Sequence, residues 1–80
     1  MTKLDAITRA RLIEKNTKNL ERIESALKLT LQEISFLETE EAKTPGAYTG
    51  ALTSIRLKRD RQHHNAKATA AYIAALKADK

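Results

Sequence analysis

Apolar residues recur at the spacing of an amphipathic helix through the first half of the chain. Large aliphatic side chains occupy the two seam positions of a seven-residue repeat: Ile13, Leu20, Ile23, Leu27, Ile34 and Leu37. Leu12 and Leu31 widen this apolar stripe, while Asn16 and Thr30 interrupt it with polar groups. A repeat of this kind predicts a helix that packs lengthwise against another helix.

Both ends of this first helix have boundary signals. Thr2 and Asp5 stand in the Thr-x-x-Asp spacing of a helix start. No proline or glycine follows until Pro45, which cannot continue a helix interior. These signals predict helix 1 over about residues 3–42 and a turn over about residues 43–49.

A weaker repeat follows the turn and predicts helix 2 over about residues 50–78. Either Thr44, followed by Pro45, or Thr49 could cap its start. Gly50 favours the later start, because a glycine inside a helix costs about 1 kcal/mol relative to alanine. The predicted seam of helix 2 consists of Leu52, Ile55, Arg59, Gln62, Ala66, Ala70, Ile73 and Leu76.

Two helices joined by one short turn predict an all-α fold, a coiled-coil-like antiparallel two-helix hairpin that forms a single domain over residues 1–80. Folding about the turn pairs Leu37 with Ile55 and Leu27 with Ala66, so that large residues meet small ones along the middle of the seam. A hairpin of 80 residues has a thin core. We therefore expect it to dimerise into a four-helix bundle.

A second set of apolar residues lies away from the seam of helix 1. On a helical wheel they fall on the back of the helix, and they are Leu4, Ile7, Leu29 and Phe36. An apolar helix face of this kind binds another helix or a groove. These four residues predict a protein interface, used by a second copy of the chain, by another protein, or by both.

Charge is distributed unevenly between the two halves. Residues 1–42 hold seven basic and eight acidic side chains (net −1), and residues 43–80 hold eight basic and two acidic ones (net +6). This asymmetry is typical of proteins with polyanionic partners. The candidate phosphate contacts are Arg56, Lys58, Arg61 and Lys67. Because the chain has only three aromatic residues for stacking on bases, nucleic-acid binding would depend on the phosphate backbone and on salt.

The sequence contains no arrangement that predicts catalysis or a metal site. His63 and His64 are adjacent on a helix and point about 100° apart. Asp60 and His64 supply two ligands, too few for a zinc site. No nucleophile elbow or phosphate-binding glycine loop occurs. We therefore expect no enzymatic activity, no cofactor, no metal and no small-molecule ligand.

Other features concern the cellular location. The chain has no cysteine, and none of its apolar runs approaches the roughly 20 residues that span a bilayer. Met1 to Asp5 lacks the layout of a signal peptide. We predict a cytoplasmic protein without a membrane partner.

The function that this pattern favours is a non-enzymatic protein–protein interaction module, such as a small adaptor, regulator or inhibitor. The alternative is a basic regulator that binds the phosphate backbone of nucleic acid through helix 2. A further alternative is a structural subunit of a larger assembly.

Overall fold

The computed structural model describes residues 4–78 and contains two helices, α1 (Ala6–Lys43) and α2 (Thr49–Ala78). The helices pack against each other as a hairpin with extents of 57 × 20 × 13 Å. The predicted all-α helical hairpin is confirmed. The start of helix 2 lies at Thr49, the later of the two alternatives.

Helix α1 begins at Ala6, three residues later than predicted. Asp5 is its N-cap, and the Asp5 carboxylate accepts hydrogen bonds from the Thr8 backbone N–H (2.7 Å) and the Thr8 hydroxyl (3.0 Å). These two bonds, the backbone one first, lower the pKa of Asp5. Leu4 therefore precedes the helix. The predicted partner of Asp5, Thr2, lies outside the described residues.

Apart from the partly buried Leu12, Thr17, Glu40 and Tyr48, the buried and partly buried positions follow a seven-residue repeat, whose seam positions are named a and d. In α1, position a holds Ile13, Leu20, Leu27, Ile34 and Glu41, and position d holds Arg9, Asn16, Ile23, Thr30 and Leu37. In α2, position a holds Leu52, Arg59, Ala66 and Ile73, and position d holds Ile55, Gln62, Thr69 and Leu76. Two predictions are wrong in detail: Ala70 is exposed and Thr69 takes its place, and Leu31 is exposed.

The large apolar side chains of the core lie near the two ends of the hairpin. Near the turn, Ile34, Leu52 and Ile55 form one buried cluster, and Leu37 packs against it. Leu37 and Ile55, which were predicted to pair, thus belong to the same part of the core. At the far end of α2, Ile73 and Leu76 are also buried.

Polar side chains interrupt the seam of α1 at two positions, Thr30 and Asn16. Thr30 is the most deeply buried residue, at 1% exposure, and its hydroxyl donates to the Ala26 carbonyl (3.0 Å). The Asn16 amide likewise donates to the Leu12 carbonyl (2.8 Å). The two polar interruptions in the α1 stripe are thus satisfied by their own helix, which removes most of the cost of burying them.

The chain reverses through Thr44, Pro45, Gly46 and Ala47. The Ala47 N–H donates to the Thr44 carbonyl (3.1 Å), and Gly46 has a φ of +89°. A proline followed by a residue of positive φ is the arrangement of a type II turn. Nothing lies within 4 Å of the place where a Gly46 Cβ would stand, so a side chain would meet no steric clash there. The turn therefore needs glycine for its positive φ and not for space.

The Glu41 carboxylate joins the end of α1 to the start of α2. It accepts hydrogen bonds from the backbone N–H groups of Gly46 (2.6 Å) and Tyr48 (2.6 Å) and from the Thr49 hydroxyl (2.9 Å). The bond from Tyr48, followed by those from Gly46 and Thr49, lowers the pKa of Glu41 although partial desolvation opposes the shift. Nearby, Arg56 forms an ion pair with Glu38 (3.1 Å) that joins the two helices.

The same substitution at the two glycines should have opposite effects. Gly46→Ala forces a side chain into positive φ and should lower the free energy of unfolding by about 1–2 kcal/mol. Gly50→Ala, inside α2 with open space around its Cβ, should raise it by about 0.5–1 kcal/mol. Urea denaturation measures both, and equal effects of the same sign would contradict the assigned turn.

Replacing Glu41 by glutamine should flatten the dependence of stability on acid. The pKa of Glu41 is lowered in the folded state. Its contribution to the free energy of unfolding is therefore complete above the unfolded-state pKa and is lost as pH falls through the folded-state pKa. The melting temperature of the wild type should therefore fall between about pH 5 and pH 3 more than that of Glu41→Gln. Glu21→Gln, at an exposed position, should keep the wild-type slope. Identical slopes in all three proteins would contradict this role.

Gln62→Leu should stabilise the hairpin. The Gln62 side-chain carbonyl oxygen is buried and accepts no hydrogen bond within the described chain. Removing an unsatisfied buried acceptor should raise the free energy of unfolding by about 1 kcal/mol or more. Gln32→Leu, at an exposed position, should change it by less than about 0.5 kcal/mol. A loss of stability in Gln62→Leu would show that the oxygen has a partner in solution.

Candidate docking face on helix α1

The residues at position g of both helices lie along one side of the seam and form one broad face of the hairpin. Glu33 of α1 and Ala51 and Lys58 of α2 all occupy position g and line the same depression of about 410 Å³. Position c of α1 borders this flank, because side chains four residues apart are neighbours on a helix. We call its members the c stripe: Lys15, Arg22, Leu29, Phe36 and Lys43.

Nearer the turn, the c stripe holds two exposed apolar residues, followed by Lys43 at its end. The Leu29 side chain is 60% exposed and the Phe36 side chain is 63% exposed. Seven residues separate them, or about 10.5 Å along the helix. The adjoining depression contains apolar atoms of Leu37, Ala51 and Ile55. Leu29, Phe36 and this depression thus lie on one flank, together with Glu33 and Lys58, and another helix could cover them.

The other half of the c stripe is basic. A depression of about 320 Å³ is lined by Lys15, Asn16, Lys18, Asn19 and Arg22. Lys18 is paired with Glu14 (3.1 Å). Within the part of the chain that the structure describes, Lys15 and Arg22 form no ion pair. Two cations and the Asn19 amide thus remain available around this depression.

The structure divides the four predicted interface residues into two pairs. Leu29 and Phe36 share the c stripe. Ile7 occupies position b, on the opposite flank, and Leu4 precedes α1. The pairs lie more than 20 residues apart, or roughly 33 Å of helix. All four side chains are exposed, but only Leu29 and Phe36 belong to one surface.

The predicted phosphate contacts are also divided. Lys58 and Arg61 occupy positions g and c of α2, on the face of the c stripe, whereas Arg56 and Lys67 occupy e and b on the opposite face. The Arg56 guanidinium is already paired with Glu38. The four residues therefore do not form one basic stripe on α2.

Two exposed apolar residues of α2 were not predicted as surface sites. Leu57 is 53% exposed at position f, and Tyr72 is 45% exposed at position g. Tyr72 lies on the same flank as the c stripe, and Leu57 lies on the outer side of α2. Heptad positions assigned to helix 2 would have shown that both residues lie outside the seam. The seam of helix 2 is too weak in the sequence to fix those positions.

Residues 4–78 offer neither a cluster of metal ligands nor a membrane-spanning helix. Among residues 4–78, no group of three or more His, Cys, Asp or Glu side chains is placed to hold a metal ion. Over the same residues, neither helix combines the length and the apolar character needed to cross a membrane.

Comparison of the chain with known protein families, with curated proteins and with solved structures found no match. The surface of the hairpin itself is therefore the basis for assigning a function. Its most distinctive feature is the c stripe, which holds the exposed Leu29 and Phe36 nearer the turn. Farther from the turn it holds Lys15 and Arg22, which form no ion pair within residues 4–78.

Proposed function

We propose that this protein is a non-enzymatic protein-interaction module that docks through the c stripe of α1 and pairs with a second hairpin to form a four-helix assembly. The observation on which this depends is the exposure of Leu29 and Phe36 two turns apart on one face, on the same flank as the depression over Leu37 and Ile55. Large apolar side chains exposed on one face are typical of binding surfaces.

The accessible surface supports a partner. The chain exposes 6122 Å², whereas a folded monomer of its mass, 9.0 kDa, exposes about 4,900 Å². The excess of roughly 1,300 Å² exceeds the approximately 800 Å² that each partner buries in a stable interface. One broad face, measuring 57 by 20 Å, is large enough to bury that area.

Nucleic-acid binding through helix 2 has less support. Its four candidate contacts point to two opposite faces, and one of them, Arg56, is neutralised by Glu38. A phosphate backbone also gains little from exposed aliphatic and aromatic side chains such as Leu29 and Phe36. A protein helix with apolar residues matches that surface better.

Phe36→Asp should abolish self-association without unfolding the hairpin. Burying a carboxylate in the docking face should raise the dissociation constant by about 30-fold or more, as at interface hot spots. Sedimentation equilibrium measures the mass, and circular dichroism monitors helix content at a protein concentration where the variant stays folded. The matched control is Leu57→Asp, which places the same group on an exposed residue outside the face.

The two variants separate docking from a general effect of added charge. Loss of association in Phe36→Asp alone is the expected result. Equal loss in both variants, or no loss in either, would contradict the assignment of the face. A labelled 30-base-pair duplex, titrated at low and moderate salt, tests the alternative: binding that depends on Lys58 and Arg61 but not on Phe36 would favour it.

A further inference from the structure

The basic depression on α1 has the geometry of a receptor site for a side chain from another helix. Four of its lining residues, Lys15, Lys18, Asn19 and Arg22, stand at positions i, i+3, i+4 and i+7. This is the set of four residues that forms a hole for one inserted side chain in a coiled coil. No residue of α2 lines this depression, so it is open to a second molecule.

We propose that this depression receives Phe36 of a second copy of the chain, in an antiparallel, two-fold symmetric pairing of the α1 helices. The inference rests on the proposed function, because it names the partner of the same c stripe. Phe36 and the centre of the depression lie on the same side of α1, about 26 Å apart along the helix. A two-fold axis midway between them seats both Phe36 rings at once.

The register that seats Phe36 also brings opposite charges together. Antiparallel alignment of two α1 helices with Phe36 between Lys18 and Asn19 places Glu33 of one copy against Arg22 of the other. It also places Leu29 against Ala26, close to the two-fold axis. Neither Glu33 nor Arg22 forms an ion pair within the described residues of its own chain, so each is available to a partner.

Further contacts follow from the same register. The ring of Phe36 would lie among the Lys15, Lys18 and Arg22 side chains, whose stems provide apolar contact and whose charges favour the ring face. Glu40 would approach Lys15, although the Glu40 carboxylate already pairs with Lys43 at 3.3 Å. The Glu33–Arg22 contact is therefore the stronger determinant of register.

Parallel pairing of α1 is disfavoured by the same residues. It would set each residue of the c stripe beside its own copy, with Lys15 against Lys15 and Arg22 against Arg22. Like charges placed together oppose association. In the antiparallel dimer every contact occurs twice. Because both copies use the same surface, the assembly stops at two chains.

Charge exchange tests the contact directly, using Arg22→Glu and Glu33→Arg. Each single variant forms a repulsive pair at both ends of its dimer, and its dissociation constant should rise about tenfold or more by sedimentation equilibrium at low salt. The double variant restores both pairs and should return to within about threefold of the wild type. An equimolar mixture of the two single variants should also associate, because each end of that mixed dimer pairs a glutamate with an arginine.

The matched controls are Lys28→Glu and Glu21→Arg, which make the same changes in net charge at exposed position b, on the opposite flank. They should leave the dissociation constant near that of the wild type. Recovery in the mixture cannot arise within one chain, because Arg22 and Glu33 are 11 residues apart on a single helix, or about 16 Å.

The remaining outcomes are distinct. If the wild type dimerises and Phe36→Asp prevents this, but the charge variants behave like their controls, the proposed register is wrong and the docking face stands. If the wild type stays monomeric at millimolar concentration, a second copy is not the partner. If Phe36→Asp leaves the dimer intact, both the inference and the proposed function fail. If the wild type is a monomer that binds the duplex, and Arg22→Glu no longer binds it, the depression is a phosphate site and the inference is overturned.

Discussion

The carboxylate of Glu41 is the contact on which the hairpin depends. It lies at the last seam position of α1 and binds the Gly46 and Tyr48 backbone N–H groups and the Thr49 hydroxyl. These bonds set the residue at which α2 begins. A shift of one residue would rotate every α2 side chain by about 100° about its axis, and Leu52 and Ile55 would leave the seam. The hydrogen bonds at the turn and the heptad of α2 therefore specify the same register.

The distribution of apolar residues along the seam connects the fold to the docking face. The fully buried apolar residues lie near the two ends. Between them the large side chains of α1, Leu20, Ile23 and Leu27, are only partly buried, and α2 offers the small or polar Gln62, Ala66 and Thr69. This part of the seam limits the free energy that the hairpin gains from burial alone, and covering Leu29 and Phe36 would add apolar burial on α1. A partner on the c stripe would therefore stabilise the fold as well as occupy the site, since binding to the native state raises apparent stability.

Much of the fold was predictable because the α1 repeat from Ile13 to Ile34 is strong and the Pro45-Gly46 pair ends it. The errors arise where weak signals compete. Thr2 and Asp5 matched one cap pattern, but Asp5 binds Thr8 instead. In α2, small residues mark the seam poorly, and Ala70 was chosen over Thr69. Glu41 was not predicted as a seam residue, although it stands seven residues after Ile34. Of the candidate site, Leu29 and Phe36 share a face as predicted, whereas a straight helical wheel could not show that the heptad places Ile7 elsewhere.

In the proposed dimer, affinity and register would have different physical origins on the c stripe. Phe36 and Leu29 would provide the apolar area, but an apolar contact alone would tolerate several alignments of two long helices. The charges along α1 would disfavour most of these alternatives, because Glu33 of each copy would lie opposite Arg22 of the other only near one antiparallel register. Surface charges of this kind add little to affinity but penalise wrong alignments. The uneven charge of α1, which contributes little to the stability of the hairpin itself, is thus explained if it selects how two hairpins meet.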